Sequence, residues 1–167
     1  VLGPFEAFVD GTPADLGGPR QRAVLARLVA AHGQMVPADR LIDELWPGEA
    51  PPRASAGLQS FVSHLRRALE PGRPPSTPAR VLVTSPPGYA LRLPPGNVDA
   101  WRFDTLVDEA GELLAAGDPA AARPRAEAAL GDAWRCLRCG DFALGDPHGS
   151  GPAGHAPLVP RGTVLRD

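Results

Sequence analysis

From residue 19 to residue 69 apolar side chains recur at helical spacing in three successive blocks. Val24, Leu25, Leu28 and Val29 mark the first, which opens near Pro19 and closes after His32 at Gly33. A short extended piece, Met35-Val36, leads to Pro37, which suits the first position of a second helix carrying Leu41, Ile42, Leu45 and Trp46 on one face; Pro47-Gly48 ends it. The third block, residues 54–70, is the most regular. Leu58, Phe61, Val62, Leu65 and Leu69 fall within a stripe about 100° wide, while Ser60, Ser63, His64 and Arg67, flanked by Gln59 and Arg66, occupy the other side. Strand-like runs bracket the three helices. Upstream, residues 1–9 are rich in aromatic and β-branched side chains and run into Asp10-Gly11, a hairpin signal, before a second short strand near residues 14–16. Downstream, Val81-Leu82-Val83-Thr84 and Tyr89-Ala90-Leu91-Arg92-Leu93 flank Pro86-Pro87-Gly88 and predict a β-hairpin. The order strands, three helices, hairpin predicts an α+β winged helix-turn-helix over residues 1–95.

Pro94-Pro95-Gly96 reads as a linker, after which Trp101, Phe103, Leu106, Val107, Ala110, Leu113 and Leu114 return to helical spacing. Gly117 supplies a C-cap, and Asp118-Pro119 starts a further helix through Ala122, Ala126 and Leu130, weakened by Pro124. Residues 98–131 are thus expected to form a helical hairpin of the tetratricopeptide kind. Beyond Gly131 the period stops; the last 37 residues hold seven Gly and four Pro, and residues 132–167 read as a poorly ordered tail.

Charge changes this picture more than bulk composition does. The 167-residue chain carries a formal −2, yet residues 52–93 hold six arginines (53, 66, 67, 73, 80, 92) against the single acid Glu70, a local +5. Residues 1–51 hold four arginines against seven acids, and residues 97–132 three against eight. The positive charge is therefore confined to the third helix and the hairpin. Lysine is absent and Ile42 and Asn97 are the only residues of their kinds, a bias that a GC-rich coding sequence produces. There is no apolar run of the roughly 18 residues that span a membrane and no leader, so the chain reads as cytoplasmic and associated with the nucleoid; it opens inside a strand-like segment, as though its true start were missing.

In a helix-turn-helix the second helix of the pair enters the major groove, where hydrogen-bonding and cationic side chains meet base edges and phosphates. Gln59, Ser60, Ser63, His64, Arg66 and Arg67 are the candidates on that helix, with Arg53 at its start. Thr84, Tyr89, Arg80 and Arg92 are the candidates on the wing, and Arg20 and Arg22 those at the start of the first helix, where they are expected to meet phosphates. An amphipathic helix with two adjacent arginines is by itself usually just a solvated face. The order of elements and the confinement of charge favour double-stranded DNA.

Several spaced motifs agree on a family. Leu2-Gly3-Pro4-Phe5, the run from Leu16-Gly17-Gly18-Pro19-Arg20 to Leu25, Val36-Pro37 with Leu45-Trp46-Pro47, the helix Leu58-Gln59-Ser60-Phe61-Val62-Ser63-His64-Leu65-Arg66-Arg67-Ala68-Leu69 and Pro86-Pro87-Gly88-Tyr89 together resemble the Streptomyces antibiotic regulatory protein family, over about residues 1–131. That resemblance implies an OmpR-type winged-helix domain followed by a bacterial transcriptional activator domain. It also implies an activator of secondary-metabolite (antibiotic) gene clusters that binds direct repeats near a promoter, recruits RNA polymerase and is compatible with a homodimer on DNA. By it, Gln59, Ser63, Arg66 and Arg67 match the recognition helix and residues 47–52 the loop facing polymerase. His64 stands where Arg or Lys is expected, which gives up a phosphate charge. After Leu130 the chain departs from the family pattern, as a frameshift or truncation of the activator domain would make it.

The sequence is also compatible with two other readings: a protein-interaction or oligomerisation module, and a truncated remnant that binds DNA without activating. Cys136 and Cys139 with His148 and His155 have spacings of 8 and 6 where zinc fingers use about 12 and then 3 to 5, so no metal is expected. No phosphate loop, nucleophile elbow or paired carboxylates stand out, so neither enzyme activity nor a cofactor is expected.

Overall fold

The computed structural model describes residues 5–139, with side chains placed through residue 131. A short hairpin comes first. β1 (Phe8–Val9) pairs antiparallel with β2 (Thr12–Pro13) across Asp10 and Gly11, both at positive φ (50° and 76°), the conformation a two-residue I′ turn needs. Because that turn is so tight, pairing begins at Thr12 rather than near residues 14–16.

Three helices follow: α1 (Pro19–Ala30), α2 (Ala38–Leu45) and α3 (Ala54–Leu69). Pro19 sits in the first turn of α1, where a missing N–H costs nothing. Pro37 is not the first helical residue of α2. It caps that helix while belonging to β3 (Val36–Pro37), which pairs with β5 (Gly88–Leu91); β5 also pairs with β4 (Leu82–Ser85), so the sheet order is β3-β5-β4. A proline is tolerated there because β3 is an edge strand. Gly88 faces Pro37 in the register, and a Cβ on it would collide with the Val36 carbonyl oxygen and lie 2.7 Å from the carbonyl carbon. Only glycine lets the wing close against β3.

The core lies where the apolar stripes converge. Leu58, Val62, Leu65 and Leu69 of α3 are fully buried against Val24 and Leu28 of α1, Leu41 of α2 and Val81, Leu82 and Leu91 of the wing. Burying each such leucine stabilises by about 1.5–3 kcal/mol, so this stripe fixes which face of α3 points outward. Phe61, at the edge of the stripe, is half-buried and stacks on Trp46 with ring centroids 6.1 Å apart. α1 and α2 are tied by Glu44, which accepts from Arg27 Nε and Arg40 Nε at 3.0 Å each.

Pro94-Pro95-Gly96 does not behave as a free linker. Pro95–Asn97 forms one 3-10 turn, and Val98 and Trp101 directly after it enter the same core as the winged helix. Trp101 Nε1 donates to the Val29 carbonyl at 2.8 Å, and its ring stacks on His32 at 5.6 Å, which pins α4 (Asp99–Ala115) to the end of α1. Gly117, at φ 79°, ends α4: its N–H donates to Leu114 and that of Asp118 to Leu113, a Schellman closure. The Asp118 carboxylate then caps the N–H of Ala121 at the start of α5 (Pro119–Cys139).

α5 runs through Pro124 and past Gly131 to Cys139. The loss of apolar period at Gly131 is therefore not the end of the helix; residues 132–138 contain neither Gly nor Pro to stop one. Among the described side chains of α5, Ala122 and Ala129 are the buried ones rather than Ala126 and Leu130, and Val107, Leu114 and Leu130 are 46%, 58% and 57% exposed. No helix among the described residues is long and apolar enough to cross a membrane. Of the tail expected over residues 132–167, residues 140–167, with His148 and His155 of the metal-like pattern, lie outside the described residues.

Candidate nucleic-acid interface

Opposite the buried leucines, α3 presents Ala56, Gln59, Ser60, Ser63 and Arg67, all exposed and confined to a strip about 100° wide. Among the described residues no hydrogen bond or ion pair engages the side chains of Gln59, Ser60, Ser63 or Arg67, nor that of Arg53 at the start of the helix. Small hydroxyl side chains at the centre keep this surface low enough to approach a groove floor, while Gln59 and Arg67 offer the longer donors.

The two edges of the strip are built differently. On one, Arg66 reaches across to the wing: Nε donates to the Leu82 carbonyl and Nη2 to Thr84 Oγ1, both at 2.8 Å, and its guanidinium lies 5.9 Å from the centroid of the Tyr89 ring. Arg66, Thr84 and Tyr89, each expected as a DNA contact, are brought together in one clamp that fixes the wing against α3. On the other edge His64 Nε2 donates to the Asp15 carbonyl at 3.0 Å, so His64 holds the loop before α1 rather than facing outward. On the same edge Trp46 meets α3 at Phe61 and Gly57, and Arg20 lies over Trp46 at 5.5 Å.

Two further arginines are held away from the strip. Arg22 donates to the carbonyls of Gly17 (3.0 Å) and Phe5 (3.1 Å), stitching the N-terminal segment to α1. Arg92 donates to the Gly33 carbonyl at 3.0 Å in a groove of about 620 Å³ that it shares with His32, Trp101 and Asp104, on the α4 side of the fold. Arg80 is exposed just before β4, its backbone N–H donated to Glu70 at 2.9 Å. Glu70 is the lone acid of the basic window, and its carboxylate lies 3.6 Å from Arg73 Nε, so its charge is compensated. Tethered arginines keep their charge and still add to the local field.

Sequence reasoning missed Trp46 as a surface residue, since its spacing fits the apolar face of α2; its only local signal is the Pro47-Gly48 that follows and leaves it at the helix end. It also missed the pairing of Glu44 with Arg27 and Arg40. Partial desolvation acts to raise the Glu44 carboxyl, but hydrogen bonds and charge from the two guanidinium groups outweigh it and hold it below its ordinary value.

Residues 11–91 match the family described as "Transcriptional regulatory protein, C terminal". The chain is 40% identical over 135 residues to the regulatory protein AfsR of Streptomyces coelicolor, covering 80% of this chain and 13% of AfsR. It is 34% identical over 151 residues to the regulatory protein DnrI of Streptomyces peucetius, covering 89% of this chain and 53% of DnrI. Over the matched residues the chain is similar to regulators of the antibiotic regulatory protein family. Within that family it also matches the transcriptional regulatory protein EmbR of Mycobacterium tuberculosis, at 40% identity over 81% of this chain and 34% of EmbR. The solved structure of EmbR in complex with a low affinity phosphopeptide superposes with a TM-score of 0.65 at 36% identity, over 77% of this chain and 36% of that one. The chain thus spans from 13% to 53% of the length of these relatives. All three relatives are named as regulatory proteins, EmbR as a transcriptional one.

Proposed function

We propose that this chain binds double-stranded DNA with α3 in the major groove and acts as a transcriptional regulator, an activator of antibiotic biosynthesis genes. The observation that carries this is the outer strip of α3: Gln59, Ser60, Ser63 and Arg67 exposed, opposite a stripe of buried leucines, inside the only strongly basic window of the chain. Arg53 and Arg67 contact phosphate or guanine, Arg20 and Arg80 contact phosphate, and Gln59 and Ser63 read base edges. Similarity to that family supports direct repeats near a promoter as the target and a protein of the cytoplasm without enzyme activity.

Residues 1–95 are then the DNA-reading unit and residues 98–131 the beginning of an activator domain. Residues 47–52, exposed throughout between α2 and α3, are the surface for RNA polymerase. Binding as a homodimer suits tandem repeats. One observation favours a second role in protein contact: Val107, Leu114 and Leu130 expose apolar surface on the helical hairpin.

A protection footprint over promoters of the neighbouring gene cluster, followed by transcription from the protected promoter with purified RNA polymerase, tests this. The reading expects protected repeats and a rise in transcript with added protein. Protection without a rise leaves DNA binding and removes activation; no protection on any promoter removes both.

A further inference from the structure

We propose that Trp46 is a positioning residue for DNA binding, a platform that holds the Arg20 guanidinium beside the recognition helix as a phosphate clamp. This rests on the DNA-binding reading above. Arg20 lies on the first turn of α1, distant in sequence from α3, and is exposed; it lies over the Trp46 ring, 5.5 Å from Cζ to centroid. The indole is in turn seated on α3. It stacks on Phe61, and a Cβ built on Gly57 would lie 3.4 Å from its Cη2 atom, so the ring rests close against the helix where Gly57 leaves the surface bare. His64 reinforces the same junction by donating to the Asp15 carbonyl just before α1.

On α3, Arg53, Gly57, Phe61 and His64 follow one another at intervals of three to four residues and form the edge of the outer strip that faces α1. Arg66, with Thr84 and Tyr89, forms the opposite edge. A groove that receives the strip therefore brings one phosphate backbone towards the wing and the other towards Arg20. A free arginine must lose most of its side-chain freedom to grip a phosphate; one already held over an indole has lost much of it in advance. A cation–π contact uses none of the guanidinium's N–H groups as hydrogen bonds to carbonyls or carboxylates, which leaves them for the anion.

The test is a set of binding measurements on the full 167-residue chain with a mixed-sequence DNA duplex at several salt concentrations. Arg20→Ala is expected to weaken binding about fivefold and to reduce the slope of log K against log salt by about 0.9, the loss of one phosphate contact. Trp46→Leu, which keeps apolar bulk but removes the flat face, is expected to weaken binding about threefold, and the double variant to bind like Arg20→Ala alone. Trp46→Phe stays within about twofold of the unsubstituted chain. Losses that add in the double variant would overturn the proposal, because a purely structural Trp46 weakens binding whatever stands at position 20. Should Trp46→Leu fail to fold, Arg20→Lys carries the test: charge is kept and the flat face is lost, so binding falls about threefold with the salt slope unchanged. Arg20→Lys at full affinity overturns the platform. An unsubstituted chain without salt-sensitive binding removes the DNA reading itself, an outcome distinct from additive losses in a chain that binds.

Discussion

Replacing Arg66 by methionine keeps the stem that packs beside the wing and removes the guanidinium. Three interactions go with it: the hydrogen bond to the Leu82 carbonyl, the one to Thr84 Oγ1, and the contact with the Tyr89 ring. β4 is an edge strand, so the Leu82 carbonyl loses a charged donor at a place where no further strand can replace it. Arg66 is half-buried, and its bonds are discounted for solvent accordingly. The loss should come to about 2 kcal/mol, half of it from the part-buried carbonyl bond. For a domain of this size that corresponds to a fall in Tm of roughly 10 °C. Thermal melting followed by circular dichroism measures it, with Thr84→Val as a partner: Thr84→Val alone should cost about 0.5–1 kcal/mol, and nothing more once Arg66 is methionine. A Tm unchanged within about 1 °C, together with lost discrimination between DNA sequences, would refute the reasoning, since Arg66 would then be a base-reading side chain and not a wing clamp.

Gly88→Ala should be among the most damaging single changes, costing upwards of about 3 kcal/mol in denaturant unfolding, because the new methyl group collides with the Val36 carbonyl and separates the wing from β3. Trp101→Phe removes the buried hydrogen bond to Val29 and part of the packing that joins α4 to α1; about 2–3 kcal/mol should be lost, and hydrogen exchange should accelerate at the end of α1 together with the start of α4. Glu44 titrates below its ordinary value in the folded chain, so the unfolded chain takes up its proton first as pH falls. Its contribution is present above the ordinary carboxylate range and is lost as pH drops through the lowered folded value. Denaturant midpoints between neutral pH and about pH 3 should fall less steeply for Glu44→Gln than for the unsubstituted chain; parallel curves would count against the pairing with Arg27 and Arg40.

Much of the fold could be read because its signals are local. The stripe from Leu58 to Leu69 is periodic within one helix, Asp10-Gly11 prescribes its own turn, and Pro19, Gly117 and Asp118 act within a residue or two of where they stand. What could not be read depends on partners far along the chain. Arg22, Arg66 and Arg92 look like Arg53 and Arg67 in a sequence, yet each is bound to carbonyls 5 to 59 positions away, and nothing in the neighbouring residues announces that. His64, an apparent loss of charge on the recognition helix, joins it to the loop before α1 across 49 positions. Pro94-Pro95-Gly96 has the composition of a linker; only the burial of Val98 and Trp101 in the winged-helix core shows that the helical hairpin is anchored. Trp46 keeps the spacing of the apolar face of α2 yet stands at the C-cap of that helix, against Phe61 of α3; helical spacing cannot tell the rim of a core from its centre.

The central claim is that the outer strip of α3 enters duplex DNA, and the salt dependence of duplex binding for the chain and for Arg67→Ala tests it most directly. With Arg20, Arg53, Arg67 and Arg80 as phosphate contacts, the slope of log K against log salt should be about −3 to −4, and Arg67→Ala should make it shallower by about 0.9 while the melting temperature stays unchanged. Binding that ignores salt, or an Arg67→Ala chain that binds as tightly and as salt-sensitively as the original, would contradict the account.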